Sequence, residues 1–370
     1  MTDSSIISKI WNLASVLRDD GVGYGDYLEQ LTYLLFLKMA HEYAQPPYDR
    51  DTKVPTEYNW ESLSGLTGEK LEEQYRKILK NLAKAGGMLG AIFYKAENKI
   101  PDPAKLSRIV TMIDNENWIS LDADAKGDLY EGLLQKNAED TKSGAGQYFT
   151  PRPLIDAILA CVQPEPEKTI ADPACGTGGF FLSASDWIAY GDPQWIQKGM
   201  SHWNPSKHDE TIVPKSKLNK AQAQSLRDKT FRGNEIVPST RRMCLMNLFL
   251  HNIGSIDGQP EVERADALLK PITGENKVDY VLANPPFGKK SSVTITNAEG
   301  GEDKDALTYE RQDFWATTTN KQLNFLQHIV SSLKDTGKAA VVLPDNVLFE
   351  GGAGETIRRK LLENTDLHTI

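Results

Sequence analysis

Residues 169–180 read Thr-Ile-Ala-Asp-Pro-Ala-Cys-Gly-Thr-Gly-Gly-Phe: a short apolar strand, a turn rich in glycine, then the start of a helix. Such a unit opens a parallel α/β sheet, because parallel strands cannot be joined by hairpins and need helical crossovers. The same alternation recurs along the chain. Strand candidates are Thr169 to Ala171, Thr230 to Gly233, Asp279 to Ala283 and Lys338 to Leu343. The helices expected with them are Pro153 to Val162, Gly179 to Tyr190, Ser239 to His251, Leu323 to Lys334 and Glu355 to Glu363. The pattern predicts an α/β fold with a doubly wound, mostly parallel sheet. Ligands of such sheets sit beyond the carboxyl ends of the strands, so the residues just after each strand are the candidate site.

Before this region the period is helical. Ile6, Ile10, Leu13 and Leu17 share one face, and Leu28, Leu31, Leu35 and Met39 form a second stripe. Loops are expected at Gly21 to Gly25, Gln45 to Pro55 and Asn98 to Pro103. The expected organisation is an all-α N-terminal domain over residues 1–143 and an α/β domain over 144–370.

Composition bounds the class. A chain of 370 residues with 39% hydrophobic and 25% charged residues fits a soluble globular protein of two or three domains. The longest apolar runs, Leu34 to Leu37 and Ala339 to Leu343, are far short of a membrane span, and Met1 to Ser5 lacks a signal pattern. A cytoplasmic location without membrane partners is expected. Cys161, Cys175 and Cys244 stand at unrelated spacings, which supports neither a disulfide framework nor a metal knuckle. The net charge of -9 argues against a chain that grips DNA alone, since duplex affinity comes mainly from phosphate neutralisation. A partner or a local basic patch must supply that grip. Lys207, Lys215, Lys217, Lys220, Arg227, Lys229 and Arg232 form such a patch, or else a solvated loop and helix.

Four segments carry chemistry. After the first strand, Asp172 opens the turn that contains Gly176, Thr177, Gly178 and Gly179. The Walker lysine is absent and Phe181 replaces the third glycine of GxGxxG, so a neutral nucleoside ligand fits better than a dinucleotide. The acid at Asp172 suits a ligand with an ammonium group, as in the methionine portion of S-adenosylmethionine. A purely structural tight turn is the competing reading. After the second strand, Glu235 can accept from two ribose hydroxyls, provided that 191–229 is an insertion; otherwise it is a surface residue. Asp266 is a further candidate, beside the adenine of that cofactor.

The third strand runs into Asn284-Pro285-Pro286-Phe287. An exocyclic aromatic amine is a poor nucleophile because its lone pair is delocalised. Two acceptors that hold both N–H groups localise the pair. The Asn284 side-chain oxygen and the Pro285 carbonyl can be those acceptors, in a turn made rigid by prolines that lack a competing donor. Phe287 can stack on a base drawn out of the duplex. The transfer would be an in-line displacement driven by positioning, with no metal required. The fourth segment, Gly146 to Arg152, reads Gly-Gln-Tyr-Phe-Thr-Pro-Arg. Thr150 can cap the helix that follows, with Pro151 at its first position and free N–H groups suited to a carboxylate.

Taken in this order, GQYFTPR, DPACGTGGF, the acidic strand end and NPPF resemble the gamma-type amino methyltransferases, and the first two closely resemble the modification subunit of type I restriction systems. LTYLLFLKMA, DLYEGLLQ and RRMCLMNLFLHNI extend the resemblance over most of the chain. It implies a Rossmann-like methyltransferase fold and N6-adenine methylation of DNA with S-adenosylmethionine. By resemblance, Gln147, Tyr148, Phe149, Thr150, Pro151 and Arg152, with Thr177, Gly178, Gly179 and Glu235, contact the cofactor, and Asn284, Pro285, Pro286 and Phe287 hold the adenine. The implied partners are DNA, a specificity subunit bound by two modification subunits, and a restriction subunit with translocase and nuclease activity. Delegated sequence reading then accounts for an acidic chain acting on DNA. In the family the sheet continues past Ile370, so Leu367 to Ile370 is expected to start a strand and the natural protein to be longer. The polar stretch from Lys289 to Gln322 is expected to form a mobile loop over the base pocket.

Two alternatives stay open. Glutamine-N5 protein methyltransferases also use NPP followed by an aromatic, but that reading predicts Tyr where Phe287 stands and no GQYFTPR. The other is a catalytically silent scaffold of a DNA-defence complex.

Overall fold

The structure, a computed structural model, describes residues 23–46, 49, 51–100, 102–116, 118, 150–191, 216–256, 258–287, 292–296, 302–306 and 308–370. The stripe Ile6 to Leu17 and the candidates Gln147, Tyr148 and Phe149 lie outside the described residues.

Helices α1 (Tyr24–Ala44), α2 (Glu61–Ser64), α3 (Gly68–Leu82), α4 (Gly87–Ile92) and α5 (Pro103–Asp114) come first. Next come α6 (Arg152–Val162), β1 (Ile170–Asp172), α7 (Gly179–Tyr190), α8 (Lys220–Asp228), β2 (Phe231–Asn234), α9 (Pro238–Leu250) and β3 (Val262–Glu263). The chain ends with β4 (Val278–Ala283), β5 (Ser292–Thr296), β6 (Glu302–Ala306), α10 (Lys321–Ser332), β7 (Leu333–Val341), α11 (Asn346–Phe349) and α12 (Ala353–Asn364). Among the described residues no helix is long and apolar enough to cross a membrane.

The expected doubly wound sheet is present, with strand order β3-β2-β1-β4-β7. β1 pairs in parallel with β2 and with β4, and β4 in parallel with β7. The order reverses at β1, which puts the carboxyl ends of β1 and β4 side by side at the switch point. Ala171, Val278, Val281, Ala283 and Ile329 form the buried core on this sheet, with Leu333 and Val341 against it. At the amino end of β4, the Asp279 carboxylate accepts from the Thr169 N–H at 3.0 Å and from Lys334 Nζ at 2.8 Å. Partial burial pushes this carboxyl up, but those donors outweigh it and hold its pKa at about 2.

Several expectations need correction. β7 begins at Leu333 and reaches its regular register with β4 only at Lys338, after an irregularity. The stretch from Lys289 to Gln322 is not simply a loop: β5 and β6 pair as an antiparallel ribbon within it. Farther on, Gln327 of α10 exchanges two bonds with the Ala316 backbone, at 2.9 and 3.0 Å, and Asn324 Nδ2 donates to Thr318 O at 2.9 Å. Leu367 to Ile370 forms no strand. β3, of two residues, was not expected. In the basic segment, α8 carries a capping box between Asn219 and Gln222, while Lys207 and Lys215 lie outside the described residues.

By contacts the chain forms two compact units, residues 1–149 with 176–178 and 237–262, and residues 150–175 with 179–236 and 263–370. In the first unit, α1 starts inside the expected loop at Gly21 to Gly25 and is buried on nearly all faces rather than along one stripe. Leu28, Leu31, Leu34, Leu35, Phe36, Leu37 and Met39 are all at most 2% exposed. A helix apolar all round must be covered all round. α9 supplies part of the cover: Phe249 meets Phe36 at 5.3 Å and Tyr43 at 6.1 Å between ring centroids.

Buried Arg242 of α9 fixes this packing. It pairs with Glu29 of α1, donates to Ile92 O at 2.6 Å and Tyr94 O at 2.5 Å, and lies 4.9 Å over the Tyr33 ring. Burial lowers its pKa to about 10, so it stays cationic at neutral pH. Removing Arg242 takes the cation from the partly buried Glu29, which keeps only the Tyr33 hydroxyl at 2.8 Å among the described residues, and takes their donor from the Ile92 and Tyr94 carbonyls. Arg242→Ala is therefore expected to lose about 3–5 kcal/mol of stability, read as a lower urea midpoint at unchanged slope.

Candidate active site

The residues after β1, β2 and β4 build the site. β1 ends on Asp172, which is 2% exposed, and its Oδ1 accepts from the Ala174 N–H at 2.9 Å, folding the chain into its turn. Burial pushes the Asp172 carboxyl up, and nearby Glu235 pushes it further; the one backbone bond does not offset them, and its pKa is about 8. Glu235 follows β2 and is 6% exposed. Its backbone N–H donates to Glu263 O at 3.0 Å, and Cys175 N–H donates to Asn234 O at 3.1 Å, so the ends of β1, β2 and β3 are tied together.

The glycine turn has its own structural requirements. Gly176 and Gly178 have φ of 55° and 87°, a region that side chains rarely adopt. A Cβ on Gly178 would stand 2.9 Å from Cys244 Sγ, and the Thr177 carbonyl accepts from Asn247 Nδ2 at 3.1 Å. Gly179 opens α7, where a Cβ would meet Ile155 at 3.1 Å. Part of the glycine pattern is thus explained by packing. Of the three cysteines, Cys175 and Cys244 are buried and Cys161 is exposed.

At the end of β4, Pro285 is buried, Asn284 and Pro286 are half-buried, and Phe287 is 50% exposed. Asn284 Nδ2 donates to Thr150 Oγ1 at 3.1 Å. Its Oδ1 is buried without a hydrogen-bond partner among the described residues. A buried acceptor left unpaired costs roughly 1–3 kcal/mol, so such an atom calls for a donor that the described residues do not supply. Phe287 is the kind of exposed ring on which a planar ligand can stack.

The segment before α6 differs from expectation. The cap of α6 is Pro151, with Pro153 in the first turn and no side-chain capping bond, so Thr150 does not cap the helix. Its hydroxyl serves Asn284 instead. Arg152 bonds Ser183 of α7. Asp266 follows β3 at the cap of a short 3₁₀ turn, with Oδ1 accepting from the Leu268 N–H at 3.0 Å and Oδ2 from Tyr309 Oη at 2.9 Å. Both oxygens have structural partners.

The second unit thus brings Thr150, Asp172, Glu235 and Asn284 to strand ends of one sheet or against them. Sequence reasoning missed the bond from Asn284 to Thr150 and the clasp of Tyr309 on Asp266. Neither has a local signature, because the partners lie 134 and 43 residues apart.

Comparison with known proteins agrees with this architecture. Residues 121–370 match the N-6 DNA Methylase family, and residues 6–113 match the HsdM N-terminal domain. The chain is 38% identical over 378 residues to the type I restriction enzyme StySPI methylase subunit of Salmonella potsdam, and 38% identical to the EcoKI methylase subunit of Escherichia coli K12. Each alignment covers 100% of this chain and 64% of the relative, so the chain spans a little under two thirds of their length. A chain from a structure of the type I restriction-modification system superposes with a TM-score of 0.72 at 25% identity, covering 98% of this chain and 69% of that one. A modification subunit from Vibrio vulnificus YJ016 shares the fold, with a TM-score of 0.68 at 20% identity over 96% of this chain and 75% of its own. With more than half of its length matched to the family, this chain belongs to the N-6 DNA methylases.

Proposed function

We propose that the protein transfers a methyl group from S-adenosylmethionine to the N6 of adenine in DNA, as the modification subunit of a type I restriction-modification complex. The observation that carries this reading is the Asn284 amide, with its nitrogen engaged and its oxygen buried and unpaired beside Pro285 at the switch-point end of β4.

The residues present fit the cofactor. A buried carboxyl held at a pKa of about 8 is relieved by a cation, and Asp172 offers that to the ligand's ammonium group. Glu235, at the next strand end, suits a ribose diol. Thr177, Gly178 and Gly179, with the segment Gln147, Tyr148, Phe149, Thr150, Pro151 and Arg152, are assigned to the same ligand by resemblance, and Gly176 and Asp266 by their places in the glycine turn and near the cofactor's adenine. Bound there, S-adenosylmethionine supplies an electrophilic methyl group on a sulfonium.

The chain's own groups handle the adenine. Asn284 Oδ1 and the Pro285 carbonyl accept the two N–H bonds of the exocyclic amine and localise its lone pair toward the methyl carbon. Phe287 stacks on the extruded ring, offsetting the few kcal/mol of lost stacking in the duplex. Pro286 holds the turn rigid, so no reorganisation is needed at the moment of transfer. We further infer that residues 1–143 and 144–370 are the two domains, that the protein acts in the cytoplasm, and that a specificity subunit supplies sequence reading to two such chains while a restriction subunit supplies translocation and cleavage.

Transfer of labelled methyl to DNA, by the full-length protein with its neighbouring specificity subunit, is expected to yield N6-methyladenine. Label on cytosine or on protein would overturn the assignment of Asn284. Asn284→Ala should abolish transfer while cofactor binding persists. Glu235→Ala should weaken cofactor binding in calorimetry, and unchanged affinity would remove it from the site.

Asp172 adds a pH signature. Its folded pKa lies above the unfolded value near 4, so folding takes up a proton between about pH 4 and 8. The stability this group contributes is fully present below about pH 4 and is lost as pH rises through about 8. Asp172→Asn keeps the acceptor for Ala174 and cannot ionise. It should raise the melting temperature of the ligand-free protein more at pH 8 than at pH 5, while abolishing cofactor binding at both.

A further inference from the structure

We infer that Asn247 of α9 is a positioning residue for cofactor binding: its amide holds the Thr177 carbonyl and so turns the Gly178 N–H away from α9, where an acceptor of the bound ligand can take it. The inference rests on the assignment of the glycine turn to S-adenosylmethionine. It names a residue to which neither the resemblance nor a place at a strand end gives a role.

The contact has one polarity. A carbonyl only accepts, so the end of the Asn247 amide that meets Thr177 O at 3.1 Å is the nitrogen. The peptide joining Thr177 to Gly178 is planar, with its C=O and N–H pointing in opposite directions. Fixing the carbonyl therefore fixes the N–H. That N–H has no backbone partner among the described residues.

The helix seats the turn closely. Cys244, Asn247 and Leu248 share one face of α9 by their spacing, and each is at most 1% exposed. A Cβ on Gly178 would stand 2.9 Å from Cys244 Sγ and 3.6 Å from Leu248 Cδ2, so the turn lies against this face with no space to spare. Residues 176–178 belong to the same compact unit as α9 and α1, and Arg242 on the same helix ties α9 to Glu29 of α1. Within this packing the amide is an uneven fit. Asn247 Oδ1 is buried without a partner among the described residues, which is unfavourable for folding. What Asn247 offers that an apolar side chain of similar size lacks is the single donor to Thr177.

The test measures S-adenosylmethionine affinity by calorimetry on the full-length protein, with the melting temperature of the ligand-free protein recorded beside it. Asn247→Leu removes the donor and should weaken binding about tenfold, the fold-change of one net hydrogen bond. Asn247→Asp is the sharper variant and the second route should Leu fail to fold. It matches the parent in shape, donates to Thr177 O only while protonated, and burial raises its pKa above the ordinary value near 4. Its affinity, taken as a ratio to the parent protein at each pH so that Asp172 affects both alike, should approach the parent at about pH 5.5 and fall about tenfold below it by about pH 8.

A lower melting temperature with parental affinity in Asn247→Leu overturns the inference, because the bond would then serve packing alone. A deficit in Asn247→Asp that is the same at every pH overturns it too, since the donor would not be what matters. Failure of the parent protein to bind S-adenosylmethionine is a different result: it removes the cofactor assignment on which the inference stands.

Discussion

The parallel pairing of β1 with β4 is the constraint on which the rest depends. Ile170 lies opposite Tyr280 and Ala171 opposite Val281, so Asp172 and Ala283 end at one edge of the sheet. Parallel neighbours require crossovers, and the chain supplies α7 and α8 on the way to β2, α9 toward β3 and α10 between β4 and β7. Because β1 is central and the order reverses there, the turn after β1 and the turn after β4 have no strand between them. Asp172 and Asn284, the residues proposed for cofactor and base, thus stand at neighbouring strand ends although they lie more than a hundred residues apart in sequence.

The two ends of this strand pair treat a carboxylate in opposite ways. At the amino end, Asp279 receives bonds from Thr169 and Lys334 and is held at a pKa of about 2, a settled ion that ties β1 to β4. At the carboxyl end, Asp172 is buried with a single backbone donor beside a second acid and is raised to about 8. A buried carboxyl raised in this way marks a candidate ligand site, and in the proposed function a cationic group of the ligand would lower it again.

Much of this was legible in the sequence, and what was missed has physical reasons. The strands around residues 170, 231 and 280 fall within a residue or two of their expected limits, because apolar runs that end in Asp-Pro, Gly-Asn-Glu or Asn-Pro-Pro are local signals. β3 has two residues, too short for any period to show. β5 has the alternation Ser-Val-Thr-Ile-Thr, yet its partner Glu-Asp-Lys-Asp-Ala has none, and pairing depends on backbone bonds that side-chain patterning does not record. For α1 the sequence was apolar on more faces than one stripe requires; its full burial depends on α9, which arrives some two hundred residues later. In the site, Asp172, Glu235 and Asn284 stood out because each follows a strand directly. Thr150 was recognised as a polar residue before a helix and assigned to capping, the usual local use of such a residue. Pro151 took the cap, and the hydroxyl went to a tertiary partner that no local rule can name.

That substitution at the helix start bears on the proposed chemistry. In that role Asn284 Oδ1 must stay unpaired until a substrate arrives, and a neighbouring donor could satisfy it. The prolines at 285 and 286 withhold two such donors, since neither contributes an N–H to the turn. Thr150 Oγ1 engages the other end of the same amide, at 3.1 Å. An unpaired buried oxygen is unfavourable for folding and favourable for recognition, and it persists only where the surrounding structure fixes it. Here that fixing comes from a residue before the first strand of the sheet and from the turn after its neighbour, so the acceptor is set by the assembled fold and not by the NPPF segment alone.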